Sequence, residues 1–481
     1  MPVNPGAPGP AAAGAVDLES LRARLAAADP DGRLRPIGMR RILVGDDALA
    51  ALPGLVAELK SDGHVVLLTD STPMRRHGAD LKPAVRALLA ASNETRWQVV
   101  RGHGAQLHAE EETIAEALAA IDGAGCVVVV GSGTMTDIGK EATRRAGNIP
   151  LVLVQTAVSV NAFSDDMAVL LIDGVKRTVP SRWPDALVVD LGIIADAPAD
   201  MNRAGFGELA SMHTAPADWY LAGAVGMDDA WLVPSVDLAR ARAAELLAAA
   251  PGVHDRERDA LALLVSEMTM TGIALGIAGR TTPLSGSEHL VSHMLDMDAA
   301  ATGRQAAFHG AQVGVGSILM AIAWRRAIDR WTADGFDVDR FYPTAAEMEP
   351  CVRAAFARLD STGRAADECW RDYARKLARW HAARRKFEAF AAEWPRHRAV
   401  FETIVCEPSI LAAAIERAGT PARFSELAPA VSPDVARWAL SNCNLMRDRL
   451  TIVDLLSFEG KWGDDDVESL LGVAAGIGAG L

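Results

Sequence analysis

The stretch Cys126-Val-Val-Val-Val-Gly-Ser-Gly-Thr-Met-Thr-Asp-Ile-Gly-Lys140 decides the fold. Its first five residues are apolar without alternation, so the strand they form has both faces covered, as in a parallel sheet. The strand runs into Gly131-Ser-Gly133 and then a helical stretch from Asp137 to Ala146. Glycines let a backbone approach a phosphate, and a helix N-terminus adds free N–H groups and the positive end of a dipole. The motif is neither GxGxxG nor a Walker loop, which needs a Gly-Lys-Ser/Thr ending. A strand-to-helix turn of this kind is often only a turn. Its position after a wholly apolar strand favours pyrophosphate binding.

The same alternation extends on both sides. Short β-branched segments at Arg41-Ile-Leu-Val44, Val65-Val-Leu-Leu-Thr69, Trp97-Gln-Val-Val100 and Leu151-Val-Leu-Val154 are separated by helix-like stretches. These run over Ala48 to Lys60, Pro83 to Ala91 and Glu111 to Ile121, after a leading helix over Asp17 to Ala28. The pattern predicts a Rossmann-like parallel α/β domain, whose ligands bind at the carboxyl ends of the strands. At one such end, Asp70 fits a ribose hydroxyl or, equally, a helix N-cap. At another, Gln155-Thr-Ala-Val-Ser159-Val-Asn161-Ala-Phe-Ser164-Asp-Asp166 collects hydroxyls and an amide, suited to a nicotinamide, to a substrate or to loop hydrogen bonding alone. A β-hairpin around Asp173-Gly174 and a strand over Pro184 to Asp190 follow.

Past Pro198 the β pattern ends. Helical periodicity runs over Val236 to Ala249, Arg256 to Gly276, His309 to Arg330 and Arg364 to Ala391. The expected organisation is a flexible leader (1–16), an α/β domain (17–198) and an all-helical domain (199–481). The Arg- and Lys-dense face of Arg364 to Ala391 reads first as solvated, second as a partner surface.

Composition narrows the function classes. The chain has 481 residues, half of them hydrophobic and 23% charged, which is a globular balance with material for two domains. A net charge of −14 argues against nucleic acid as a partner. Five scattered cysteines without CxxC spacing read as reduced thiols. Apolar runs such as Val313 to Trp324 are too short to span a bilayer. A cytoplasmic protein without nucleic-acid or membrane partners is expected.

The chemistry-bearing stretch is Ser285-Gly-Ser-Glu-His-Leu-Val-Ser-His-Met-Leu-Asp296, followed by Phe308-His309-Gly310. His289 and His293 stand one helical turn apart on the same face. With Glu208, in Gly205-Phe-Gly-Glu208, spacing selects them as a two-His, one-carboxylate metal set with positions left open for substrate. Helix-borne histidines are also common at core edges without any metal.

The order GSGTMTD, GFGEL, SGSEHLVSH, FHGAQVGVG resembles the glycerol-1-phosphate dehydrogenase branch of the superfamily of iron-containing alcohol dehydrogenases, glycerol dehydrogenases and dehydroquinate synthases. The likeness begins near Arg41 and extends to an Arg-rich element at Ser441-Asn-Cys-Asn-Leu-Met-Arg447-Asp-Arg449-Leu-Thr451. It implies a dehydroquinate synthase-like fold and a different ligand set: Glu208, His289 and His309 around one divalent ion, zinc or iron. His293 would then face the substrate. Gly131, Ser132, Gly133, Thr134 and Asp137 would take the cofactor pyrophosphate region, Thr156, Ser159 and Ser164 the nicotinamide, and Asp70 the adenosine ribose. Asp70 would repel a 2′-phosphate, which favours NAD over NADP.

Three positions depart from the family pattern. Glu208 stands where the dehydrogenase branch carries Asp. Asn161 replaces a substrate-contacting Asp, and Met212 replaces a Lys one turn past the metal carboxylate. Lys176 and Arg177 fit either a substrate phosphate or a solvated hairpin. The expected reaction is metal-dependent NAD(P)H reduction of a small ketone or aldehyde, such as dihydroxyacetone phosphate to sn-glycerol 1-phosphate, with His293 relaying a proton. The alternative is a dehydroquinate synthase-like cyclase that retains NAD.

Overall fold

The computed structural model describes residues 14–102, 107–172 and 175–481. Residues 1–13 of the expected leader, the Asp173-Gly174 turn and the side chain of Lys176 lie outside the described residues. The chain divides into two compact units. The first comprises Met1–Gly205 and Pro234–Arg280; the second comprises Phe206–Val233 and Thr281–Leu481.

The first unit is built on a seven-stranded sheet in the spatial order Gly14–Ala15, Arg41–Gly45, Ala186–Asp190, Leu151–Gln155, Ala124–Gly131, His64–Thr69, Thr95–Val99. All neighbours pair in parallel except Gly14–Ala15, which runs antiparallel to Arg41–Gly45. The end of the expected leader therefore caps a sheet edge. Alternate residues explain the unbroken apolar runs. Val65, Leu67, Cys126, Val128, Val130, Val152, Val154 and Val188 share one core with the helices Leu52–Leu59 and Leu81–Ala90. The intervening Val66, Leu68, Val127, Val129, Leu153 and Val189 are equally buried on the opposite face.

Strand order places the candidate ligand edge. After His64–Thr69 the chain moves outward to Thr95–Val99; after Ala124–Gly131 it moves the other way, to Leu151–Gln155. The direction of winding reverses between these two central strands, so a crevice opens at their carboxyl ends. Asp70 and the Gly131 turn stand there, and Gly131 pairs with Gln155 at the end of the next strand.

The hairpin pairs Met167–Ile172 with Val175–Pro180 as a separate two-stranded sheet. The helix expected over Arg256 to Gly276 runs over Arg258–Ala278 and, unlike the apolar runs weighed above, is long and apolar enough to cross a membrane, yet 83% of its apolar window is buried. It is a core helix of the first unit. The grouping of Pro234–Arg280 with the sheet differs from a division at residue 198.

The second unit is helical. Its interior holds an aromatic cluster in which Phe336, Phe341, Phe387, Phe390, Trp394 and Phe401 meet at ring-centroid distances of 4.9–6.3 Å. The expected helix over Arg364 to Ala391 is two helices, Arg364–Ala382 and Arg384–Ala392. Most of its basic residues are exposed or half-buried, but Lys376 is fully buried and pairs with Asp454 at 2.6 Å. That cation belongs to the core.

Close helix contacts position the site. A Cβ on Gly207 would lie 2.3 Å from Gly310 O, so the residue before Glu208 touches the backbone beside His309. Likewise a Cβ on Gly316 would lie 2.9 Å from Glu288 O, which holds His309–Asp334 against Ser287–Ala301. Gly207→Ala is expected to destabilise the protein by about 1–3 kcal/mol through overpacking. A denaturant midpoint equal to wild type would show that these helices are not in contact at this point.

Candidate metal and cofactor sites

In the second unit, Glu208, His289 and His309 each direct a ligand atom into one small volume, with these atoms all within 4.8 Å of one another. His289 Nε2 lies 3.4 Å from Glu208 Oε1, and His309 Nε2 lies 3.8 Å from Glu208 Oε2. Atoms bound about 2.1 Å from a shared tetrahedral ion stand roughly 3.4 Å apart, so this spacing suits a common cation. Glu208 Oε2 is buried and accepts no hydrogen bond. An orphaned carboxylate oxygen is costly unless another group satisfies it. The donor set and its orphan fit one divalent ion.

The outward nitrogens explain why both rings present Nε2. His289 Nδ1 bonds Glu288 Oε1 at 2.9 Å, and Glu288 is fully buried. His309 Nδ1 lies 2.9 Å from Ser292 Oγ, and Ser292 donates its proton to Gln312 Oε1 at 2.6 Å. The Gln312 amide is oriented by Asp296 Oδ1 and Ala307 O, each 3.3 Å from Nε2. Ser292 must therefore accept from His309, which puts the proton of a neutral ring on Nδ1 and turns Nε2 toward Glu208.

Charges follow the same geometry. Burial disfavours the Glu208 carboxylate, but His289 and His309 outweigh it and hold its pKa below the usual value. Burial also disfavours a charged His289, yet Glu208 and Glu288 raise its pKa to about 9. The metal-free pocket thus keeps its own cation.

The segment leading into Ser287–Ala301 is clamped from three sides. Asp218 accepts from Ser287 N and Oγ, both at 2.7 Å, and from Ile452 N at 2.8 Å. Burial, then the Glu288 charge, pushes Asp218 up to about 7. Arg449 donates to Ser285 O, to Ser285 Oγ at 3.0 Å and to Thr281 Oγ1 at 3.1 Å. Here the Arg-rich C-terminal element fastens the loop ahead of the histidine helix.

His293 stacks on His309, with ring centroids 5.8 Å apart, and lies 6.5 Å from His289. It is half-buried beside the cluster but is not among the three residues brought together. Met212 is fully buried in a short 3-10 turn, so it lines no open surface.

In the first unit the cofactor candidates gather along the sheet's carboxyl edge. Gly131 ends its strand, Ser132 precedes the helix Gly133–Arg145 without capping it, and Thr134 sits in the first turn. The glycines serve packing as well: a Cβ would meet Met135 Cβ at 2.5 Å from Gly131 and Val160 Cγ2 at 2.8 Å from Gly133. Asp70 accepts from Thr72 N at 3.0 Å and Thr72 Oγ1 at 2.8 Å, and its carbonyl takes the Lys82 ammonium at 2.7 Å. Thr156 N reaches back to Gly131 O at 3.2 Å, and Ser159 is buried nearby in sequence. Asn161 opens the 3-10 turn Ala162–Ser164 and is half-buried. Ser164 instead bonds Thr269 O at 2.9 Å, which ties this loop to a core helix.

Asp137 faces inward. It is buried, its Oδ1 has no hydrogen-bond partner, and burial pushes its pKa to about 8 against the nearby Lys140 charge. Lys140 is committed to Asp165 at 2.5 Å. This environment fits a protonated core carboxyl at neutral pH.

The sequence reading passed over Glu288, Asp218, Ser292, Gln312 and Thr214. Glu288 and Ser292 lie within the stretch singled out for its histidines, and only their partners reveal them.

Comparison with known proteins places these features in context. Residues 43–198 match the family model described as iron-containing alcohol dehydrogenase. The chain is 24% identical over 445 residues to glycerol-1-phosphate dehydrogenase (NAD(P)+) of Bacillus licheniformis, covering 92% of this chain and 93% of that one. It is 31% identical to the enzyme of the same name from Methanosarcina mazei, over 58% of this chain and 75% of the relative. The fold is similar to a crystal structure of a probable glycerol dehydrogenase from Sinorhizobium meliloti. That likeness has a TM-score of 0.57 and 16% identity, and covers 92% of this chain and 99% of that one.

The raised pKa of Asp137 sets a pH dependence. The folded state keeps a proton that the unfolded chain releases above about pH 4, so stability falls as pH rises from there towards 8. Asp137→Asn is expected to flatten this fall, seen as urea midpoints at pH 5 and pH 8 that differ less than in wild type. An unchanged difference would mean that Asp137 is ionised in the fold.

Proposed function

Since the chain belongs to the glycerol-1-phosphate dehydrogenase branch of the iron-containing alcohol dehydrogenase superfamily, we propose that it reduces a small phosphorylated ketone with NAD(P)H and one divalent metal. Dihydroxyacetone phosphate, giving sn-glycerol 1-phosphate, is the substrate we assign, in keeping with the names of its relatives. The observation that carries the reading is the convergence of Glu208, His289 and His309 around an orphaned carboxylate oxygen.

In this reading Glu208 Oε2 and the Nε2 atoms of His289 and His309 hold zinc or iron, fixed by Glu288 and the Ser292–Gln312 pair. When bound, the metal supplies Lewis-acid polarisation of a carbonyl, and the nicotinamide supplies hydride. The protein's own contribution is to position, to exclude water and to move one proton. His293, beside the ligands but outside the set, donates that proton to the alkoxide oxygen. The Gly131-Ser-Gly-Thr134 turn takes the cofactor pyrophosphate, supported by its place at the reversal of strand order. Thr156 and Ser159 line the nicotinamide pocket, and Asn161 faces the substrate. Asp70 meets the ribose and favours NAD. Asp137 and Ser164 support the loop from within, because their polar atoms point to the core and to Thr269.

The reading includes a cytoplasmic homo-oligomer. Five scattered cysteines without CxxC spacing are in keeping with it.

The test uses the full-length chain and NADH absorbance. Stoichiometric loss of NADH with dihydroxyacetone phosphate, faster than with dihydroxyacetone, is expected. His309→Ala is expected to lose bound metal and this activity together. Retention of stoichiometric metal in that variant, by atomic emission, would remove His309 from the ligand set. Turnover without net NADH loss would point to a cyclase instead.

A further inference from the structure

Glu288 carries a buried charge that metal ligation alone leaves unexplained. Its side chain is fully enclosed and accepts three hydrogen bonds. Oε1 takes Gly286 N at 2.6 Å and His289 Nδ1 at 2.9 Å, while Oε2 takes Thr214 Oγ1 at 2.8 Å. An ionised carboxylate only accepts, so Nδ1 of His289 carries a proton and Nε2, the nitrogen facing Glu208, is the one that would bind a metal. The carboxylate itself has little freedom. Its backbone is pressed against Gly316, where a Cβ would come within 2.9 Å of Glu288 O.

The two histidines differ in what stands behind them. His309 is backed by a neutral hydroxyl whose proton goes to Gln312, a chain that ends on Ala307 O and Asp296. Among the described residues, His289 is backed by a charge. An outer carboxylate both orients an imidazole and strengthens it as a donor. It also brings the buried negative charges of the pocket to two, Glu208 and Glu288, which matches a divalent ion.

We infer that Glu288 is the positioning residue of this site: it sets the tautomer and plane of His289 and, by its charge, the affinity for the divalent metal. The inference rests on the metal-binding reading above. The competing account is a helix N-terminal acid. Glu288 lies in the first turn of Ser287–Ala301 and accepts Gly286 N, an arrangement that stabilises a helix with no metal involved.

The two accounts part in zinc affinity. Metal-free full-length protein is titrated with Zn²⁺ against a chromophoric chelator, for wild type, Glu288→Gln and Glu288→Ala. Glutamine keeps an acceptor oxygen for Nδ1 and Gly286 N, removes the charge, and turns the second oxygen into an amide donor facing Thr214 Oγ1, whose hydroxyl can rotate to accept. Outer-shell losses weaken metal binding by about 10–100-fold, so Glu288→Gln is expected near the lower end and Glu288→Ala near the upper. With Co²⁺ in place of zinc, the visible absorption bands of Glu288→Ala are expected to shift, reporting a displaced ligand. If both variants melt earlier yet bind zinc with the wild-type dissociation constant, Glu288 is a helix-end acid and the inference is overturned. If Glu288→Ala does not fold, Glu288→Gln alone decides, since it preserves every acceptor at Oε1. If wild type takes up no zinc, the metal reading itself falls. If wild type binds zinc and His309→Ala does not, while both Glu288 variants bind normally, only the present inference falls.

Discussion

The second unit is organised around a carboxylate that its own fold does not satisfy. Glu208 is buried, one of its oxygens has no hydrogen bond, and imidazole nitrogens of His289 and His309 stand 3.4 and 3.8 Å from it. An isolated buried carboxylate is too costly to survive without a partner. Other carboxylates are buried in the same unit, among them Glu288 and Asp218 near the site and Asp454, which pairs with Lys376. Glu288 and Asp218 have hydrogen-bond donors on both oxygens, whereas Glu208 Oε2 has none. A proton on His289 supplies a balancing charge in the metal-free state. A divalent ion supplies it better, because it meets all three inward ligand atoms at once.

Bringing those atoms together requires three helix segments closer than ordinary side chains permit. Gly207 meets that requirement, since it would strike Gly310 O if it carried a Cβ. Gly316 does the same beneath Glu288. The motifs GFGE and FHGAQVGVG thus combine two functions, supplying a ligand and removing the bulk that would keep it from its partners. Further from the site, the aromatic cluster around Phe336, Phe387 and Trp394 and the buried Lys376–Asp454 pair give the helices after His309–Asp334 a core of their own.

What could be read from sequence follows from what a one-dimensional pattern records. The parallel sheet was legible because both faces of strands such as Ala124–Gly131 are buried: alternation disappears, and an unbroken apolar run remains. The histidine pair His289 and His293 was legible as one face of one helix. Spacing cannot see across helices, so it joined His293 to His289, whereas the geometry joins His309 to His289 through Glu208. Only the family resemblance carried that exchange. Glu288 stayed hidden because an acid in the first turn of a helix is ordinary. Pro234–Arg280 was assigned with the helical part for a related reason: an apolar helical period shows that a helix is covered, never by which neighbour.

The departures from the family pattern now carry unequal weight for substrate choice. Met212 replaces a lysine, yet it is fully buried among helices that pack tightly at Gly207. A cation at that position would itself need a buried partner, so methionine there removes a desolvation cost and leaves the exposed charge of the site unchanged. Asn161 is different. It is half-buried on a loop that Ser164 anchors to Thr269, at the carboxyl edge of the sheet. Replacing an aspartate by an amide there removes a negative charge while keeping an acceptor of similar shape. Of these two departures it is therefore Asn161, which stays accessible, and not the buried Met212, that bears on substrate choice in the reading that places this loop against the substrate.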